Sequence, residues 1–202
     1  EPAREGEIVL KLCLFGGTFD PPHVGHLIIA EIIQESERFD RIVFVPASNP
    51  PHKERGISPI EDRLEMLRLT LVHNDNFDVS DIEIERGGIS YTVETVKETK
   101  GKFSLTSKDL YFLIGSDSLL DFHSWKEYES ILNECRVIIA LRPGFRPSRI
   151  DPEILSQIRF ANIPQIEVSS SQIRRRVKSG LTIRYMVTDP VLDYISEKDL
   201  YR

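Results

Sequence analysis

Cysteine is nearly absent from this chain, with two in 202 residues. Cys13 and Cys135 both lie in apolar, strand-like runs, so buried, reduced thiols are expected and a disulfide framework is not suggested. A surplus of positive charge is also missing. The net charge of −6 argues against a broad nucleic-acid surface. It leaves room for small anionic substrates, which a few local cations can serve. There is no apolar run of membrane-spanning length and no secretory leader pattern, so no membrane partner is expected and the cytoplasm is the simplest address. No HExxH, CxxC or Ser-His-Asp ordering occurs, which leaves protein-bound zinc and covalent hydrolase chemistry without support. Internal repeats, low-complexity stretches and a domain linker are absent, and the length suits one sizeable domain.

What the chain does have is concentrated in Phe15 to His26, FGGTFDPPHVGH. An apolar run from Ile8 precedes it and a helical pattern from Leu27 follows it, which reads as strand, glycine turn, helix. Gly16 and Gly17 permit a sharp turn and close approach of a ligand. Pro21 and Pro22 stiffen the helix entry. His23 and His26, three apart, share a face of the first turn. A helix start offers free N–H groups and positive potential, a seat for phosphate. The same potential favours neutral imidazoles, each still able to donate one N–H. A half-exposed helix start or part of a metal site are the competing readings of the histidine pair. The density of special residues favours phosphate chemistry. Asp20, standing before a proline, is expected to serve the turn.

Along the rest of the chain strand and helix patterns alternate. Strands are expected over Ile8 to Phe15, Arg41 to Pro46, Phe77 to Glu85, Leu110 to Ile114, Arg136 to Leu141 and Gln165 to Val168. Helices are expected over His23 to Glu37, from Ser58 or Pro59 to about His73, and over Ser90 to Lys100. Two short helices between Ser116 and Leu132 meet near Ser124 and Trp125, and further helices cover Pro152 to Gln157, Ser170 to Lys178 and Pro190 to Ser196. Such alternation predicts a single α/β domain over residues 8–202, a doubly wound, mostly parallel sheet with helices on both faces. Residues 1–7 are expected to be a loose extension. Ligands of such sheets bind beyond the carboxyl ends of the strands, so the loops after the strands should converge on one edge.

Four of those loops carry candidate residues. In Val168 to Arg174, VSSSQIR, Ser169 and Ser170 suit a helix cap and Ser171 its first turn, while Arg174 can fork onto two phosphate oxygens. Gly115 and Asp117 follow a buried strand, where Asp117 can accept from ribose hydroxyls or position a helix start. His52 and Lys53 stand in the long loop from Ala47 to Pro59. Trp125 is core or ligand platform; its place after the polar Ser124 keeps the platform reading open.

Together the pieces GGTFDPPHVGH, NPPHK, RLEMLRL, SYTVET, GSDSLLDFHSWKEY and VSSSQIRRRV followed by YMVTDPVLDYI resemble the bacterial nicotinate-nucleotide adenylyltransferases of the HxGH nucleotidyltransferase superfamily. They span nearly all of the chain after Glu7. Ser171 stands where that family often has Thr, and Thr188 where it often has Pro. The resemblance implies a Rossmann-like fold and adenylyl transfer from ATP to nicotinate mononucleotide, with Mg²⁺ held mainly by the substrate phosphates. It implies ATP contacts at Gly16, Gly17, Thr18, Phe19, His23, His26, Gly115, Asp117, Ser170, Ser171 and Arg174, of which His23, His26 and Arg174 are catalytic. Acceptor contacts fall at His52, Lys53, Thr92, Trp125 and Lys126, with Trp125 stacking on the pyridine ring and backbone N–H groups at Thr92 and Lys126 holding its carboxylate. A relative using nicotinamide mononucleotide or phosphopantetheine is the runner-up, and a non-catalytic nucleotide sensor the alternative from another class. The number of subunits stays open, a homo-oligomer being compatible.

Overall fold

The computed structural model describes residues 10–50, 56–141, 145 and 150–202. The proposed extension at residues 1–7, together with His52 and Lys53, lies outside them. In chain order the elements are β1 (Leu12–Gly17), α1 (Val24–Glu37), β2 (Arg41–Pro46), α2 (Ile60–Leu71), β3 (Phe77–Val79), α3 (Ile82–Arg86) and α4 (Thr92–Lys102). There follow β4 (Leu110–Gly115), α5 (Ser116–Leu119), a 3-10 turn at Phe122–Ser124, α6 (Tyr128–Glu134) and β5 (Arg136–Leu141). The last are α7 (Pro152–Gln157), β6 (Ile158–Asn162), α8 (Ser170–Lys178) and α9 (Asp189–Glu197).

Six strands pair in the order β3-β2-β1-β4-β5-β6, every pair parallel. The order reverses between β1 and β4, which is where a doubly wound sheet opens its crevice. Period-two alternation sorts β1 between two cores. Leu12 and Leu14 pack with Ile82, Val93, Val96, Ile131 and Ile154 from α3, α4, α6 and α7. Cys13 and Phe15 pack with Ala30, Ile33, Leu67 and Leu71 from α1 and α2. Helices therefore cover both faces, and the strands are near-continuous apolar runs because neither face meets water. Burial pushes the pKa of both cysteine thiols up, in keeping with inert core thiols. A third cluster, Met66, Ile173, Ile183, Val187, Val191 and Ile195, fastens α8 and α9 onto α2. Among the described residues no helix is long and apolar enough to cross a membrane.

Two strand expectations are corrected. Phe77 to Glu85 is not one strand: pairing with β2 ends at Val79, and Ile82–Arg86 turns helical, with Ile84 and Glu85 N–H both donating to Asp81 O. The alternating IEIER pattern suits a strand as well as a single helical turn, and the chain turns helical after Asp81. The last strand is Ile158–Asn162, not Gln165 to Val168. It is an edge strand with Arg159, Phe160 and Asn162 exposed, so it lacks the apolar run that marks β1, β2, β4 and β5.

Candidate active site

The motif at the end of β1 is organised differently from a free glycine turn. Gly16 and Gly17 complete the strand, paired with Val45 and Pro46. Neither has positive φ. What they permit is close packing of rings, since a Cβ on Gly16 would lie 2.8 Å from Phe112 Cζ and one on Gly17 2.8 Å from Phe19 Cζ. Phe19 itself takes a left-handed backbone, φ 51°, and its ring is buried edge-on to His26, centroids 4.9 Å apart. The structure thus places its ring under a histidine.

His23 caps α1 and His26 is the third residue of the helix. The rings stack with centroids 3.7 Å apart and planes 23° from parallel. His23 N–H donates to His26 Nδ1 at 3.1 Å. An Nδ1 that accepts carries no proton, so the neutral His26 ring holds its hydrogen on Nε2. The backbone thereby fixes which nitrogen is the donor. Gly25 makes the stack possible, because a Cβ there would sit 2.9 Å from His23 Nδ1.

Asp20 plays the turn role expected of it and ties more together than a turn alone. Its side chain is 3% exposed. Tyr201 Oη donates to Oδ1 at 2.7 Å and Ser58 N–H to Oδ2 at 3.3 Å. Arg174, one turn into α8, donates from Nη1 to Asp20 O at 2.6 Å and from Nη2 to Ser171 Oγ at 3.2 Å. Ser170 Oγ donates to Pro21 O at 2.8 Å, and Ser169 Oγ caps the helix by accepting from Gln172 N–H. The α8 start and the histidine turn, far apart in sequence, are thus one unit.

Sequence reading overlooked Arg63 as a site residue. Its side chain, 1% exposed, donates to Thr18 O, Ala47 O, Ser48 O and Ser58 O. One guanidinium so binds the loops after β1 and β2 together. Burial pulls its pKa down, Asp20 opposes that, and an arginine in such a cage keeps its charge.

Between these loops and α4 lies a cavity of about 380 Å³. Gly16, Gly17, Thr18, Thr92, Gly115, Trp125 and Lys126 line it, which unites seven of the expected residues. Phe112 and Phe122 back the half-buried Trp125 ring at 6.4 and 5.3 Å between centroids. Trp125 follows the 3-10 turn in extended conformation rather than starting a helix. The α4 helix begins at the cavity wall, with Ser90, Tyr91 and Thr92 in the lining and no side-chain cap. Its first N–H groups have no acceptor within the helix. The Lys126 ammonium turns aside to Glu94 Oε1 at 2.7 Å and over the Tyr91 ring at 4.1 Å. That hydrogen bond raises the lysine's pKa and lowers the glutamate's. Glu83, Ser118 and Ser124 also line it and were not foreseen; the Glu83 carboxylate is buried and accepts from Thr95 Oγ1 at 2.6 Å. His23, His26, Ser170, Ser171 and Arg174 form the second cluster, beside the cavity rather than in its wall. Asp117 is exposed in the first turn of α5, next to Gly115.

Known proteins resemble this chain over nearly its whole length. Residues 14–176 match the family model described as cytidylyltransferase-like. A protein of Thermoanaerobacter sp. (strain X514) named "Probable nicotinate-nucleotide adenylyltransferase" is 41% identical, over 96% of this chain and 95% of its own length. One of the same name from Exiguobacterium sibiricum is 41% identical over 95% and 99%. Among solved structures, Plasmodium falciparum nicotinic acid mononucleotide adenylyltransferase complexed with NaAD shares the fold, with a TM-score of 0.76 and 23% identity over 94% of this chain and 96% of that one. On these matches, spread over nearly its whole length, the chain belongs to the nicotinate-nucleotide adenylyltransferase family.

Proposed function

We propose that this chain transfers the adenylyl group of ATP to nicotinate mononucleotide, forming deamido-NAD and pyrophosphate, and that its two clusters divide the substrates. The observation that carries the division is the uncapped start of α4 in the cavity wall beside Trp125. A helix start is an anion seat. The ring of Trp125 is a platform for a flat heterocycle. A pyridine carboxylate satisfies both, with Thr92 and Lys126 N–H groups on its oxygens.

ATP takes the other cluster. His23 and His26 bind the α- and β-phosphates, His26 through Nε2–H. Ser170, Ser171 and Arg174 take the β- and γ-phosphates, with Gly115 and Asp117 toward the ribose and Gly16 to Phe19 beneath. The acceptor's phosphate oxygen attacks the α-phosphorus in line, the bond to the bridging oxygen breaks, and pyrophosphate departs. Charge grows on the bridging and non-bridging oxygens, where fixed donors stabilise it more than they stabilise bound ATP. No covalent intermediate is required, so positioning and electrostatics supply the rate.

Among the described residues no group of three His, Cys, Asp or Glu side chains is placed to hold a metal ion. Mg²⁺ would travel with the triphosphate, keeping most of its waters. Pyrophosphate release, measured with ATP and each of nicotinate mononucleotide, nicotinamide mononucleotide and phosphopantetheine, tests the assignment. Turnover is expected with the first; preferential turnover of either other acceptor, or nucleotide binding without turnover, would contradict it.

A further inference from the structure

The Asp20 carboxylate is a buried charge inside the ATP cluster, and three groups contend for it. Oδ2 takes the Ser58 N–H and faces Arg174 Nη1 at 3.8 Å. Oδ1 takes the Tyr201 hydroxyl. Arg174 does not close a tight fork on the carboxylate; it donates to the Asp20 carbonyl and to Ser171 Oγ instead. Its side chain keeps 33% of its surface open, enough to meet a phosphate. The Tyr201 hydroxyl also lies 3.9 Å from Met66 Sδ, with Leu200 and Tyr201 packed against the α2–α8–α9 cluster. Tyr201 holds a left-handed backbone, φ 67°, a conformation that disfavours residues with a Cβ. Residues that keep such a backbone do so where the surrounding contacts over-determine it.

We propose that Tyr201 is a positioning residue for ATP: by holding one oxygen of Asp20, it keeps the buried carboxylate from drawing Arg174 out of the triphosphate's reach. The inference rests on the assignment of Arg174 to the triphosphate. A carboxylate oxygen short of one donor in a dry setting seeks the nearest cation. Arg174 Nη1 already faces the same carboxylate at its other oxygen, Oδ2, at 3.8 Å. Without the hydroxyl, the guanidinium closes onto the carboxylate and leaves Ser171. Tyr201 is not in the wall of the Trp125 cavity, so the acceptor is untouched.

The test is steady-state kinetics of Tyr201→Phe, Arg174→Lys and the double variant, with thermal melting of each. Phenylalanine keeps the ring in its packing, so the melting temperature is expected to stay close to that of the wild type. Tyr201→Phe is expected to raise KM for ATP roughly fivefold or more, leaving KM for the acceptor unchanged. Because Tyr201 acts through Arg174, adding Tyr201→Phe to Arg174→Lys is expected to change KM for ATP less than about twofold. An unchanged KM for ATP in Tyr201→Phe, a parallel rise for both substrates, or multiplication of the two effects in the double variant would overturn the role of Tyr201. If Arg174→Lys alone leaves ATP kinetics unchanged, the assignment of Arg174 falls first and takes this inference with it.

Discussion

His26 shows how a single backbone contact decides chemistry. Its Nδ1 is occupied by the His23 N–H, so only Nε2 is left to donate. If that donor meets the phosphate as charge develops, His26→Ala should lower kcat on the order of 10²–10³-fold, with a far smaller effect on ATP binding. Near-native turnover would remove His26 from the reaction. Gly25 supplies an independent check on the same geometry. Alanine there would place its methyl against the His23 ring, 2.9 Å from Nδ1, on an α-helical backbone that tolerates alanine well. Gly25→Ala is expected to disturb the stack and reduce kcat between about tenfold and a hundredfold, while the melting temperature moves little. Full activity in a folded Gly25→Ala protein would show that the stack is dispensable.

Among the elements, the residues just after β1 and β2, Thr18 and Ala47, line the cavity at the sheet's switch point. Arg63 is what fixes them, with four carbonyl acceptors on one buried guanidinium. Lysine keeps the charge and loses the fork. Arg63→Lys should therefore destabilise the fold by about 2–3 kcal/mol, a fall of roughly 4–12 °C in melting temperature, read by calorimetry. A shift of a degree or less would mean that the carbonyls are satisfied some other way. The arginine was visible in the sequence only as part of a helical heptapeptide. Nothing local distinguishes a surface arginine on α2 from one that turns inward across Thr18, Ala47 and Ser48. The same limit explains β6 and α3, whose patterns fit two structures until a neighbouring strand chooses between them. By contrast β1, its loop and α1 were legible because their residues act on one another within a few positions. Asp20 was legible as a turn residue for that reason, whereas its bond to Tyr201 was not, being 181 positions away. The sequence leaves Trp125 as core or platform; its place in the cavity lining, backed by Phe112 and Phe122, comes only from the fold.

Taken whole, the molecule is acidic, with a net charge of −6, and is assigned two anionic substrates. Two local devices reconcile these facts. One is a cluster of imidazole, hydroxyl and guanidinium groups at the starts of α1 and α8; the other is the uncapped start of α4. The helices α1 and α4 pack on opposite faces of the sheet. The α4 seat and Trp125 are proposed to recognise a pyridine acid. A carboxylate accepts from both backbone N–H groups, whereas an amide turns its NH₂ toward one of them. A hydrogen bond to a charged group contributes ~1.5–3 kcal/mol and an unsatisfied buried donor costs ~1–3 kcal/mol, so either effect gives roughly tenfold discrimination or more. Trp125 stacks on either ring and should add affinity without choosing. The most direct measurement is kcat/KM for nicotinate mononucleotide and for nicotinamide mononucleotide, in the wild type and in Trp125→Ala. The account predicts a preference for the acid of at least about tenfold in the wild type, largely kept in the variant while both efficiencies fall. Equal efficiencies in the wild type would contradict it.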